Sequence, residues 1–192
     1  MSLTVSVIYG SVRADRQGIK ATRYLNKKLK ERDIKVYFAD PMHYNFPFLD
    51  KMYKEFPEGK APENMEELAQ KFRESDGFLM VSGEYNHGVP PAMKNLIDHF
   101  QTEYFFKPSA IASYSAGRYG GVRAAVQLRS ILGELGMPAI SSALAFPKVQ
   151  HAFSDDGEPQ QDYIEGSTNR FLDEFEWYMK ALKKQREEGT PY

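Results

Sequence analysis

Apolar positions along this chain alternate between two rhythms. Leu3 to Tyr9 is a short β-rich run that stops at Gly10-Ser11. Gly18, Thr22, Leu25 and Leu29 then recur at helical spacing. The alternation repeats. Ile34–Ala39, Gly77–Ser82, Ala110–Tyr114 and Ala139–Ala145 are predicted strands. Helices are predicted around Met65, Leu68, Ala69 and Phe72, around Ala92, Leu96, Ile97 and Phe100, around Val122, Ala125, Leu128, Leu132 and Leu135, and around Phe171, Leu172, Phe175, Tyr178 and Leu182. Five strands, each followed by a helix, predict an α/β fold with a parallel sheet covered on both faces. With no linker, repeat or low-complexity tract, residues 1–192 are expected to form one domain.

The segments 41–61 and 147–161 read as loops. The first mixes Pro41, Pro47 and Pro57 with Tyr44, Phe46, Phe48 and Tyr53. A loop of that length and aromatic content covers a ligand, packs on a partner subunit, or tucks its rings onto its own core.

Composition narrows the classes of function. The chain has no cysteine, which excludes disulfides and thiolate-held zinc. Lys and Arg number 25 against 26 Asp and Glu, a net charge of -1, so the broad basic surface of a general nucleic-acid binder is not expected. No run approaches the ~20 apolar residues of a membrane span, and the N-terminus lacks the pattern of a signal peptide, so a cytoplasmic protein is expected. His43 and His151 have no partner at metal-ligand spacing, and Asp155-Asp156-Gly157-Glu158 lacks the spacing of a calcium loop, so no metal site is expected. His99, on an otherwise clean helix face, reads as structural. Lys27, Lys28, Lys30 and Arg32 read as a solvated helix face.

In an open parallel sheet, ligands bind beyond the carboxyl ends of the strands. Three loops there carry apt chemistry. The first, residues 10–19, leaves a strand and begins a helix. Unpaired amides and the positive end of the helix dipole suit a phosphate. Ser11 adds a hydroxyl, and Arg13 and Arg16 add guanidinium forks that fit phosphate oxygens. Gly18 permits close backbone approach. The loop has neither G-x-G-x-x-G nor G-x-x-x-x-G-K-[ST], so a dinucleotide fingerprint and a P-loop are absent, and a mononucleotide is indicated. The second loop, Ser82–Pro91, offers the flat face of Tyr85, the amide of Asn86 and the pliant Gly88, a mixture suited to a planar heterocycle. The third, Ser115–Val122, has three glycines whose exposed amides suit heterocycle carbonyls or developing negative charge.

These loops resemble the NADPH-dependent FMN reductase family. The segments that carry the resemblance are GSVRADRQG at 10–18, EYNHGVPPAMKNLIDHF at 84–100 and YSAGRYGGVRAAVQLR at 114–129. The most specific of them is E-Y-N-x-x-x-P-x-x-x-K-N. The resemblance implies a flavodoxin-like three-layer sandwich with strand order 2-1-3-4-5. It implies FMN as cofactor and NADPH or NADH as hydride donor. By it, Ser11, Arg13 and Arg16, with the backbone of Gln17, Gly18 and Ile19, hold the FMN phosphate. Glu84, Tyr85, Asn86 and His87 lie beside the isoalloxazine ring, and Ser115, Gly117, Gly120 and Gly121 approach it from the other loop. His87 reads equally as a cofactor contact and as a solvated loop residue. The family commonly has proline before the position of Glu84, where this chain has Gly83.

The expected activity is ping-pong transfer of hydride from NAD(P)H to FMN and then to a small acceptor, such as a flavin, quinone, azo compound or metal oxyanion. Hydride transfer needs distance and orientation more than a side-chain acid or base, so no essential catalytic side chain is expected. A homodimer or dimer of dimers is implied. The alternative is a non-enzymatic flavodoxin-type electron carrier, which the balanced charge disfavours.

Overall fold

The computed structural model describes residues 2–192. Its sheet strands are β1 (Thr4–Tyr9), β2 (Lys35–Ala39), β3 (Gly77–Ser82), β4 (Ser109–Tyr114) and β5 (Ala139–Phe146). All neighbours pair in parallel, in the order β2-β1-β3-β4-β5. The helices are α1 (Gly18–Lys30), α2 (Glu63–Glu74), α3 (Pro91–Asp98), α4 (Val122–Glu134), α5 (Val149–Ala152) and α6 (Tyr163–Glu187). The expected architecture and strand order are therefore present. The two expected loops carry short helical turns, a 3-10 turn at Tyr53–Glu55 in the first and α5 in the second.

Period-two alternation divides the central strands between two cores, while the edge strand β5 buries Ile140, Leu144 and Phe146 in the first alone. Val5, Val7, Tyr9, Leu79, Val81, Ala110 and Ala112 face α1 and α6, where Leu25, Leu29, Phe171, Leu172 and Phe175 are buried. Ile8, Phe78, Met80 and Ile111 face α2, α3 and α4 with Phe72, Leu96, Phe100 and Leu128. Full burial of each Phe or Leu side chain contributes about 1.5–3 kcal/mol before the entropy of ordering is charged. Tyr44 and Phe46 of the aromatic loop join the second core, and His99 is fully buried beside Phe46.

Two features depart from the sequence reading. The basic residues of α1, and Arg32 just beyond its end, are not a simple solvated face. Lys28 pairs with Glu165 and Arg32 with Asp173 and Glu176, all on α6. Lys20 and Lys27 pair with Asp155 and Glu158, which pins that turn to α1. These partners lie more than a hundred residues away, so local spacing does not reveal them. Each exposed pair is worth about 0–1 kcal/mol.

The second departure is in the edge strand. Between the pairs Ser109/Ala139 and Ile111/Ala143, β5 uses four steps to β4's two. The irregularity is satisfied from both sides. Arg129 of α4 donates to the carbonyls of Ile140 and Ser141 at 2.8 and 2.7 Å. Glu174 of α6 accepts from the amides of Ser141 and Ser142 at 2.8 and 3.2 Å and from the Ser142 hydroxyl. A bulge fixed in this way also blunts an edge that would otherwise offer a regular hydrogen-bonding template.

At the opposite end of the sheet from the strand-end loops, Lys107 is buried. Its Nζ donates to the carbonyls of Phe72, Arg73 and Glu103 at 2.7–3.0 Å, closing the C-terminus of α2. Burial first, and the Arg186 charge second, lower its pKa to about 7, while Asp76 and Glu103 act in the opposite direction.

Candidate functional site

Parallel pairing puts every strand's carboxyl end on the same side, so the loops after β1, β3 and β4 meet. They line one cavity of about 330 Å³ with Ser11, Arg13, Arg16, Gln17, Gly83, Glu84, Tyr85, Tyr114, Ser115 and Gln150 among its residues. The first and second loops touch, with Ser11 Oγ and the Tyr85 hydroxyl 3.1 Å apart.

The first loop presents donors that the fold leaves free. Ile19 and Lys20 donate to Arg16 and Gln17, but the amides of Gln17 and Gly18 have no acceptor among the described residues. These are the orphan donors of a helix start. Ser11 is buried and its Oγ accepts from the Arg13 amide at 3.3 Å. The Arg13 side chain is exposed and has no carboxylate partner among the described residues. Arg16 differs. Its Nη1 is 2.7 Å from Asp40 Oδ1 at the end of β2, and its guanidinium lies 5.5 Å from the Tyr9 ring centroid. The hydrogen bond to Asp40 raises its pKa, so Arg16 is a fixed cation with part of its charge already answered.

Gly18 is required for a reason the sequence reading did not name. A β-carbon there would overlap the ring of Tyr114. Tyr114 is buried at the end of β4, and its hydroxyl donates to that of Tyr9 at 3.2 Å. Burial, reinforced by Tyr9, pushes the Tyr114 phenol far above its ordinary pKa, so both rings form a neutral floor under the first loop.

The second loop turns tightly. Tyr85 and Gly88 exchange backbone hydrogen bonds at 3.0 and 2.9 Å, and Asn86 and His87 both have positive φ, 50° and 66°. Two successive left-handed residues make a type I′ turn. Asn86 and His87 are exposed at its tip, and Gln127 of α4 holds the His87 carbonyl at 3.1 Å.

Glu84 has a structural duty beside its place on the cavity wall. Its Oε2 accepts from the amides of Arg123 and Ala124 at 3.0 and 3.3 Å, and Oε1 lies 3.4 Å from the Arg123 guanidinium. It caps α4 from another loop and stabilises the helix dipole. This ties the second loop to the third.

The third loop is built on Gly120 and Gly121, with φ of 62° and 80°. A β-carbon on Gly121 would come 2.7 Å from the Tyr114 carbonyl oxygen. Ser113 Oγ donates to the Gly120 carbonyl at 2.8 Å. The amides of Gly117 to Gly121 have no acceptor among the described residues. Gly117 has open space around it, and Ser115 Oγ donates to its carbonyl at 3.2 Å.

Sequence reasoning missed Asp40, Tyr114 and Gln150. The first and last follow β2 and β5, strand ends whose loops carry no glycine-rich or arginine-rich signal of their own. Gln150 Oε1 is buried without a partner while its Nε2 donates to the Ala116 carbonyl at 3.4 Å. An unpaired acceptor of this kind suits a ligand hydroxyl. No cluster of metal-ligating side chains occurs among the described residues.

A second cavity, about 450 Å³, adjoins the first loop at Val12. Tyr44, Phe46, Phe48, Pro91 and Leu96 also line it. Asn95 fixes its wall by donating to the carbonyls of Phe46 and Pro47 and accepting from the Leu49 amide. The aromatic loop thus splits its roles: Tyr44 and Phe46 are core, while Phe48 stands 87% exposed.

Free amides, a buried hydroxyl and an unpaired guanidinium on the first loop, with Tyr85, Ser115 and Gln150 on the other walls, fit an anionic heterocycle, while Gly117, Gly120 and Gly121 of the third loop, and Asn86 and His87 of the second, lie outside the cavity lining. Comparison with known proteins agrees. The profile of the family described as NADPH-dependent FMN reductase matches residues 3–151. A quinone reductase from Pseudomonas putida is 28% identical over 92% of this chain and 95% of its own. An NAD(P)H-dependent FMN reductase from Nectria sp is 32% identical over 67% of this chain and 66% of its own. The solved structure of FerB, a flavoenzyme NAD(P)H:(acceptor) oxidoreductase from Paracoccus denitrificans, superposes with a TM-score of 0.73 at 26% identity, covering 92% of this chain and 98% of that one. A flavodoxin variant from Pseudomonas aeruginosa shares the fold, with a TM-score of 0.56 at 16% identity. The chain belongs to the NADPH-dependent FMN reductase family, an oxidoreductase with FMN as cofactor and NAD(P)H as donor.

Proposed function

We propose that residues 1–192 form one FMN-binding domain that reduces small-molecule acceptors, quinones among them, by ping-pong turnover in the cytoplasm. The convergence of three strand-end loops on one cavity, with unused amides on the first and third, carries this reading. When bound, FMN supplies the hydride chemistry, accepting two electrons from NAD(P)H and yielding them to the acceptor.

The chain's own groups bind and orient. Ser11, Arg13 and the free amides of Gln17 and Gly18 take the phosphate, with Arg16 contributing the charge that Asp40 leaves; the Ile19 amide, expected to join them, is instead engaged by the Arg16 carbonyl. Tyr85 and the Asn86–His87 turn border the ring. Ser115 and the free amides around Gly117, Gly120 and Gly121 hold its polar edge and stabilise negative charge there. No side chain is assigned a proton-transfer step.

A homodimer is supported by apolar side chains left in solvent, Val122 at 42% and Val126 at 70% exposure on α4, and Phe48 on the loop that packs against α3. The test is initial-rate kinetics with NADPH and a benzoquinone varied together. Parallel double-reciprocal lines are expected. Intersecting lines would rule out ping-pong turnover at a shared site.

A further inference from the structure

We propose that Arg118, Tyr119 and Arg123 form a subsite for the phosphate groups of the dinucleotide donor; the assignment rests on the function proposed above. The Arg118 and Arg123 guanidinium carbons lie 4.7 and 4.6 Å from the centroid of the same Tyr119 ring. Arg118 also donates to the Tyr119 hydroxyl at 2.6 Å. Two cations on one ring repel each other, and cation–π attraction alone returns only about 0.5–1 kcal/mol at an exposed site. One carboxylate, Glu84, answers Arg123, and its Oε2 is already engaged by the α4 amides. Arg118 has no carboxylate partner among the described residues. Exposed Lys148, whose amide donates to the Gly117 carbonyl, adds a further cation beside the loop. The cluster therefore has net positive charge and open donors.

Its placement supports a role in donor binding. Ser115 and Ala116 of the same loop line the cavity, as does Glu84, which holds Arg123. Tyr119 is 48% exposed and contributes little to the core, so stability does not account for the stack. The phosphate cradle around Ser11 and Arg13 lies on a different loop, and the chain has no dinucleotide fingerprint. A donor with a pyrophosphate, and in NADPH a 2′-phosphate, needs anion recognition elsewhere on the rim. Paired guanidinium forks on a rigid aromatic supply it.

The test is calorimetric titration of FMN-saturated protein with ADP and with adenosine 2′,5′-bisphosphate, in wild type, Arg118→Ala and Tyr119→Leu. Saturation with FMN keeps the probes out of the Ser11 cradle, and heat of binding does not depend on flavin reduction, so this outcome is separable from failure of the proposed activity. Binding of ADP, weakened about tenfold in both variants, assigns the pyrophosphate; binding of the bisphosphate alone, weakened likewise, assigns the 2′-phosphate. The same variants should raise KM for NADPH about tenfold and leave KM for reduced nicotinamide mononucleotide unchanged, since that donor lacks the second phosphate. Absence of binding by both probes, or equal binding by wild type and variants, would overturn the proposal.

Discussion

Gly18 and Tyr114 are packed so closely that the first residue of α1 has no room for a β-carbon over the tyrosine ring. The ring cannot easily retreat, because it is buried, hydrogen-bonded to Tyr9 and in contact range of Gly83. Gly18→Ala should therefore lose about 1–3 kcal/mol by overpacking. It should also displace the free amides of Gln17 and Gly18 and weaken FMN binding. Urea denaturation and a flavin titration measure the two effects, and unchanged values in both would contradict the packing argument.

The two arginines of the first loop should separate. Arg13 is exposed and unpaired, so Arg13→Ala should weaken FMN binding about tenfold or more with stability unchanged. Arg16 is paired with Asp40, whose side chain is 13% exposed. Arg16→Ala should weaken FMN binding and also cost about 1–3 kcal/mol by leaving a largely buried carboxylate without its partner. Equal stability losses in the two variants would argue against this division.

Glu84 joins two loops by capping α4. Glu84→Ala should cost about 1–2 kcal/mol, and Glu84→Gln less, because an amide oxygen still accepts from Arg123 and Ala124. Thermal unfolding of both variants distinguishes a cap from a residue that only lines the cavity, for which the two substitutions would leave stability alike.

Lys107 sets a pH dependence away from the site. Its pKa of about 7 lies below the ordinary lysine value, so the unfolded chain holds more protons between about pH 7 and 10.5. The charged form is a penalty in the fold that is fully present below pH 7 and relieved as pH rises. Wild-type stability relative to Lys107→Met should accordingly increase from pH 7 to pH 10. A difference that stays flat or falls across that window would contradict it.

Much of this arrangement was legible in the chain. The strands are buried apolar runs, and their ends are marked by Gly10-Ser11, Gly83-Glu84 and Ser115 to Gly121, so the order of elements and the three loops followed from local pattern. What local pattern does not reveal is partnership over distance. Asp40 answers Arg16 from another strand, Tyr114 explains Gly18 from 96 residues away along the chain, and Glu174 and Arg129 together hold the β5 bulge. Glu84 and Arg16 were read as ligand contacts because their loops face the cavity, but each also serves the fold.

The central claim is tested most directly by anaerobic stopped-flow mixing of the FMN-loaded protein with NADPH, and separately with NADH, while flavin absorbance is followed. Rapid bleaching by at least one donor is the predicted result. Failure of both to bleach a flavin that dithionite reduces normally would contradict the reductase reading and favour a non-enzymatic electron carrier.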